Sequence, residues 1–267
     1  MCYSALVKRD LNYLEKRFGA TIIREQVEEY ERASTLDPKR FPPSQARIFP
    51  GHYAPVIFAA NQQKVIALQR YGAYPPPQVT NPKAYTTFNA RRDNLSSTFW
   101  SDAFMVHHGF CVLEGFYEWV SVKDLIKAGV VSLAAVKEEF GKQAEDRKAK
   151  ILAAGKTYKP TPTELKDPLL RQIIIEFRPD DGSELLVPTI FSYGPVEHGH
   201  HDVGFAIITD DPGPEIVAAG HDRCPVILEP DAVDLWLDFK GKSARELTAL
   251  LARRQRVTFR HRLAEAA

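Results

Sequence analysis

Short apolar segments with strand chemistry occupy the middle of this 267-residue chain, while helix-forming sequence is confined to its ends and to one charged stretch. The clearest segment is 204–209, Gly-Phe-Ala-Ile-Ile-Thr, a continuous run too short for a helix and followed at once by turn residues. Further strands are predicted at 56–60, 65–68, 172–177 and 184–191, and 111–113 is strand-like within the block 109–119. Asp180-Asp181-Gly182 reads as a hairpin turn joining 172–177 to 184–191. The proline-rich stretch 74–82 must be loop.

Helices are predicted at 10–18, capped by Asp10 and ended by Gly19, and at 24–32. Two more are predicted near the end, at 230–237 behind Pro230 and at 244–252, where Ser243 and Glu246 form a capping box. The pattern is that of an α+β fold: a largely antiparallel β-sheet core with flanking helices, in a single domain spanning 1–267. Residues 121–166 differ, with nine Lys and one Arg against six acidic residues, a local net of +4. Leu133, Val136, Phe140, Ile151 and Leu152 suggest one or two amphipathic helices there, so 121–168 reads as a helical insertion. Following directly on 109–119, it is placed to reach over any groove that block lines, or else to present a solvated face.

Thirty-five basic residues against thirty-four acidic ones give a formal net charge of +1, so only local patches bear on a nucleic-acid partner. Cys2, Cys111 and Cys224 are an odd number with no CxxC pair, which argues for a reducing compartment and against a disulfide framework or structural zinc. No apolar run approaches the roughly 18 residues of a membrane span, and the N-terminus lacks a secretion signal, so a cytoplasmic location is expected. His198-Gly199-His200-His201-Asp202 looks metal-like but has no matching ligand group elsewhere, and no metal or cofactor is expected. Arg253, Arg254, Arg256, Arg260 and Arg262 form a basic end that can touch phosphate or simply be solvated.

Four groups can carry chemistry. Cys2, once Met1 is removed, holds an α-amine and a thiol that are both partly nucleophilic at neutral pH. Such a 1,2-aminothiol meets an aldehyde to form an imine and then a thiazolidine ring. In Asn89-Ala90-Arg91 the amide can hold an amine or carbonyl, and the guanidinium suits a phosphate. In Gly115-Phe116-Tyr117-Glu118-Trp119 the carboxyl group sits among large aromatics, where desolvation raises its pKa. In Gly220-His221-Asp222-Arg223 the imidazole can move protons.

In this order, ahead of Pro225-Val226-Ile227-Leu228, these groups resemble the SOS-response-associated peptidase (SRAP) family, whose members shield abasic sites. The resemblance covers roughly 2–111, 115–119 and 189–238. It implies Cys2 as the nucleophile, Asn89 positioning its amine, Glu118 moving protons and His221 acting on the opened sugar's oxygen. It further implies Arg91 and Arg223 on flanking phosphates and Thr209 in the same pocket. The expected partner is single-stranded DNA containing abasic sites, crosslinked by a cytoplasmic monomer that is nucleoid-associated when bound. The same groups can remove Met1 in cis.

The chain departs from the family pattern in several places. Tyr3-Ser4 replace the usual Gly-Arg after the cysteine. Glu114 adds a carboxylate near Glu118 in sequence, which could raise the pKa of one of them. Arg70-Tyr71-Gly72 stands where the family has a Trp-Gly pair, and Tyr74-Pro75-Pro76-Pro77 replaces the tryptophan-rich loop after it, so stacking on unpaired bases is expected to fall to Tyr71, Tyr74 or Phe99-Trp100. Two other readings are open at this point: a peptidase acting on proteins through Cys2, and a single-stranded-DNA-binding module without chemistry.

Overall fold

Alternation along the strands splits the apolar side chains between two cores. Cys111 and Leu113 enter one cluster and Phe110 and Val112 the other; Phe205 and Ile207 part from Ala206 and Ile208 in the same way. Both faces of the central sheet are therefore covered, which is why its strands read as continuous apolar runs.

The computed structural model describes residues 3–81, 87–197 and 200–264. Twelve strands of one hydrogen-bonded sheet lie among them. They are β1 (Ser4–Val7), β2 (Thr21–Ile22), β3 (Arg47–Ile48), β4 (Tyr53–Ala60), β5 (Gln63–Tyr71) and β6 (Asn89–Arg91). After these come β7 (His108–Ser121), β8 (Gln172–Pro179), β9 (Leu185–Glu197), β10 (His200–Asp210), β11 (Cys224–Pro225) and β12 (Phe259–Leu263). The helices are α1 (Leu11–Phe18), α2 (Arg24–Leu36), α3 (Ser101–Val106), α4 (Val122–Lys127), α5 (Leu133–Ala153), α6 (Pro214–Ala218), α7 (Pro230–Leu237) and α8 (Ala244–Leu250).

Five strands close on themselves. β4 pairs with β7, β7 with β9, β9 with β10, β10 with β5, and β5 back with β4. All of these pairings are antiparallel except β10 with β5. The α+β fold with a largely antiparallel sheet is as the sequence indicates.

The local signals hold. Asp10 caps α1 by accepting from the Tyr13 N–H, Gly19 ends it in the left-handed region, and Ser243 with Glu246 forms the capping box of α8. Strand lengths were less legible: β7 runs 14 residues, and Pro55 lies inside β4 opposite Leu68.

The expected hairpin at 180–182 is corrected. β8 and β9 both run antiparallel to β7 along one of its edges, β8 against Phe116–Ser121 and β9 against His108–Leu113. The chain therefore jogs at 180–184 without reversing. A turn signal shows that the backbone bends there and says nothing about which strand supplies the next partner.

The 121–168 segment is fastened to the core. Val122, Leu125, Val136 and Phe140 are buried in the same cluster as the strands, whereas Leu152 is exposed. The basic end is largely paired: Arg253 with Glu229 and Asp231, Arg254 with Asp210, and Arg262 with Glu176 after β12 has joined β8.

Candidate active site

Gly115 opens the segment of β7 that carries Glu118, and it approaches a neighbour closely: a Cβ there would stand 2.6 Å from the Phe177 carbonyl oxygen. That contact lets β8 pair tightly from Phe116 onward. Along the next residues Phe116 is fully buried, and Glu118, two positions on, shares its side of the strand and is fully buried as well. Burial pushes the Glu118 carboxyl group up to about 8, so it is a carboxylic acid at neutral pH.

His221 reaches Glu118 from the turn between α6 and β11. Its Nε2 lies 3.2 Å from Glu118 Oε2, and its side chain is 10% exposed. Burial holds the imidazole down to about 4. Both shifts favour uncharged forms, so the contact joins an acid to a neutral imidazole rather than two ions. The Nδ1 stands 3.0 Å from the Arg223 carbonyl oxygen and 3.2 Å from the Arg223 N–H. With Nδ1–H on that carbonyl, Nε2 presents a lone pair toward the Glu118 side; the other tautomer presents an N–H there.

The remaining predicted residues gather round the end of β10. β6 runs parallel to β10, with Asn89 opposite Ile207 and Arg91 opposite Thr209. On its other side, Thr209 faces Pro225 of β11, just after the His221 turn. Asn89 and Thr209 are buried polar residues, whereas Arg91 is exposed and paired with Asp93 at 2.6 Å. The two sides of β10 thus bring Asn89, Arg91 and Thr209 alongside the turn of His221 and Arg223. Cys2 lies outside the described residues. Tyr3 is the first described residue, and its N–H donates to the carbonyl of Tyr117, immediately before Glu118, at 3.3 Å.

Burial overturns the expected stacking residues. Tyr71 is fully buried, packs on Phe205, and donates its hydroxyl to Asn89 Oδ1 at 3.5 Å. It supports Asn89 and has no face open to a base. Trp100 is buried edge-on against Phe99. Tyr74 is half-buried, with its hydroxyl bound to Asp202 and its ring against Gly194. Glu114 is likewise separated from Glu118: a bulge where β1 meets β7 precedes Val7, and Glu114 pairs with Lys8 at 3.1 Å.

The exposed aromatics lie elsewhere. Trp119 is 41% and Tyr3 37% exposed, and their rings meet at 6.0 Å. Phe49 meets Tyr3 at 5.7 Å, so the three form an aromatic surface beside Glu118 and the start of β1. Arg47 lies with them, its Nε donating to Ser4 Oγ at 3.2 Å and its guanidinium 3.7 Å over the Tyr117 ring. The alternation around a buried Glu118 was the available signal for Trp119; nothing local pointed to Phe49 or Arg47.

The family model described as SOS response associated peptidase (SRAP) matches residues 1–262. The chain belongs to the SRAP family. SRAP members take their description from the SOS response, the cellular answer to DNA damage, and this chain is accordingly a DNA-damage-associated protein. Solved structures share its fold, three of them as follows. One from Bordetella bronchiseptica is 14% identical with a TM-score of 0.59, covering 99% of this chain and 100% of that one. One from Bacteroides thetaiotaomicron is 14% identical with a TM-score of 0.61, covering 99% and 92%. A phage-related protein from Bordetella bronchiseptica is 16% identical with a TM-score of 0.53, covering 86% and 89%. Comparison with curated proteins found no match. Among the described residues of this SRAP protein, no helix is long and apolar enough to cross a membrane and no cluster of three or more His, Cys, Asp or Glu could hold a metal ion.

Proposed function

We propose that this SRAP protein captures the aldehyde of an abasic site in single-stranded DNA through Cys2, exposed at the N-terminus once Met1 is removed. The Cys2 α-amine adds to the ring-opened aldehyde, and the carbinolamine loses water to give an imine. The thiol then adds to the imine carbon while a proton passes to nitrogen, which closes a thiazolidine. One C–N and one C–S bond form, the aldehyde oxygen leaves as water, and no redox partner is needed. Glu118, protonated at neutral pH, gives its proton to the departing hydroxyl group and takes one back from the iminium nitrogen as the neutral imine forms. His221 exchanges that proton with Glu118 and acts on the sugar oxygen as the ring opens.

The observation that carries this reading is the buried Glu118–His221 contact at 3.2 Å, one residue beyond the point where Tyr3 enters the sheet. Asn89 holds the Cys2 amine, with Tyr71 behind it, and Thr209 lines the same pocket. Arg91, Arg223 and Arg47 meet phosphates; Trp119, Tyr3 and Phe49 offer ring faces to unpaired bases. The peptidase in the family description corresponds to removal of Met1 in cis by the same groups.

The test is incubation with an oligonucleotide bearing one abasic site, followed by denaturing electrophoresis and intact mass. A denaturation-resistant adduct is expected, lost in Cys2→Ser and in protein that retains Met1. If protein with a blocked amine crosslinks as well as the free form, the aminothiol mechanism is wrong.

A further inference from the structure

The turn that carries His221 rests on the segment the sequence marks as an addition to the family pattern. Within the turn, the Gly220 N–H donates to the Val217 carbonyl at 2.8 Å and the His221 N–H to that of Ile216 at 3.1 Å. Beneath it, Ile216 and Ala219 are fully buried in the same cluster as Val122 and Leu125 of α4 and Val136 and Phe140 of α5. Gly220 has a φ of +84°, and a Cβ there would stand 3.0 Å from Asp124 Cβ and 3.1 Å from Val120 Cγ1. The turn's backbone therefore packs closely on α4 and the end of β7, in a left-handed conformation that favours glycine.

α4 is held in turn from its far side. The Val122 N–H donates to the Arg171 carbonyl at 3.1 Å, and the Arg171 guanidinium covers the Phe140 ring at 3.3 Å. β7 delivers Glu118 and ends at Ser121, where α4 begins at once. Strand, helix and turn form one packed unit, so a shift of α4 changes the distance between acid and imidazole.

We propose that the 121–168 segment, through α4, is the positioning element that sets His221 against Glu118, with Leu125 and Gly220 as its positioning residues. The inference rests on the reading of Glu118 and His221 as the proton-transfer pair. Among the described residues, the ionisable groups facing the imidazole are Glu118 on β7 and Asp222 in its own turn, with Asp124 of α4 beneath Gly220.

The experiment uses the full chain carrying Leu125→Ala or Gly220→Ala, with Leu125→Met as the conservative variant and Leu14→Ala as a truncation in the other core. The first readout is NMR titration of His221 without DNA; the second is the pH–rate profile of adduct formation on a saturating abasic oligonucleotide. Leu125→Ala is expected to raise the His221 titration by about one unit as water enters. It is expected to slow adduct formation about tenfold, equivalent to about 1.4 kcal/mol, with unchanged affinity for undamaged oligonucleotide. Leu125→Met restores both readouts, and Leu14→Ala leaves both alone while lowering stability.

If Leu125→Ala does not fold, the milder truncation Leu125→Val decides the matter on the same two readouts. An unmoved His221 titration and rate profile, or an equal change in Leu14→Ala, overturns the proposal. Should the wild type form no adduct, the proposed function fails, while the titration still reports whether α4 positions the imidazole.

Discussion

Glu118 and His221 meet at 3.2 Å inside the protein, and burial drives the two in opposite directions, the carboxyl group up to about 8 and the imidazole down to about 4. Each group prefers its uncharged form, which leaves a proton available between them at neutral pH. Such a pair carries no charge in the core at rest.

Stability should report this directly. Glu118 in the folded state holds its proton above its ordinary value of 4.5, so its contribution is full below that value and is lost as pH rises toward about 8. His221, depressed from 6.5 to about 4, contributes stability that is lost as pH falls through that range. The two effects oppose each other between 4.5 and 6.5, so between pH 6.5 and about 8 the Glu118 effect stands alone. Over that window wild-type stability is expected to fall by about 1–2 kcal/mol, and Glu118→Gln to lose the slope. Denaturant unfolding at several pH values measures both.

The same substitution should slow adduct formation about 10²-fold or more, because the amide can supply no proton. An unchanged single-turnover rate removes Glu118 from the chemistry.

For His221→Ala an altered rate of sugar opening or adduct reversal is expected, with DNA affinity retained. Reversal kinetics of purified adduct measure it, and wild-type kinetics would return His221 to a structural role.

The aromatic surface makes a separate claim. Trp119→Ala should weaken binding of single-stranded DNA by about 1–3 kcal/mol. Because Trp119 is 41% exposed, folding stability should change little. Trp100→Ala should do the reverse, costing about 3–5 kcal/mol of stability through the cavity it leaves. Titrations of a fluorescent oligonucleotide alongside thermal melts distinguish the two outcomes.

Arg47→Gln should lower affinity for DNA and reduce its salt dependence by about one phosphate's share. A salt series of binding constants measures it, and an unchanged slope assigns Arg47 to packing on Tyr117 alone.

Some features of this protein were already determined by the order of its residues. Asp10, Gly19, Pro230 and the Ser243–Glu246 pair mark helix ends because capping depends on groups within three or four residues of each other. The apolar runs and the motifs around Asn89, Glu118 and His221 were legible for the same reason. Tertiary structure alone decided which strand each run would join, so 180–182 became a jog along β7 instead of a hairpin. It alone buried Tyr71 and Trp100, left Trp119 exposed, sent Glu114 to Lys8, and laid α4 under Gly220. Burial and pairing are set by contacts between residues distant in the chain, and no local pattern records which partner closes over which side chain.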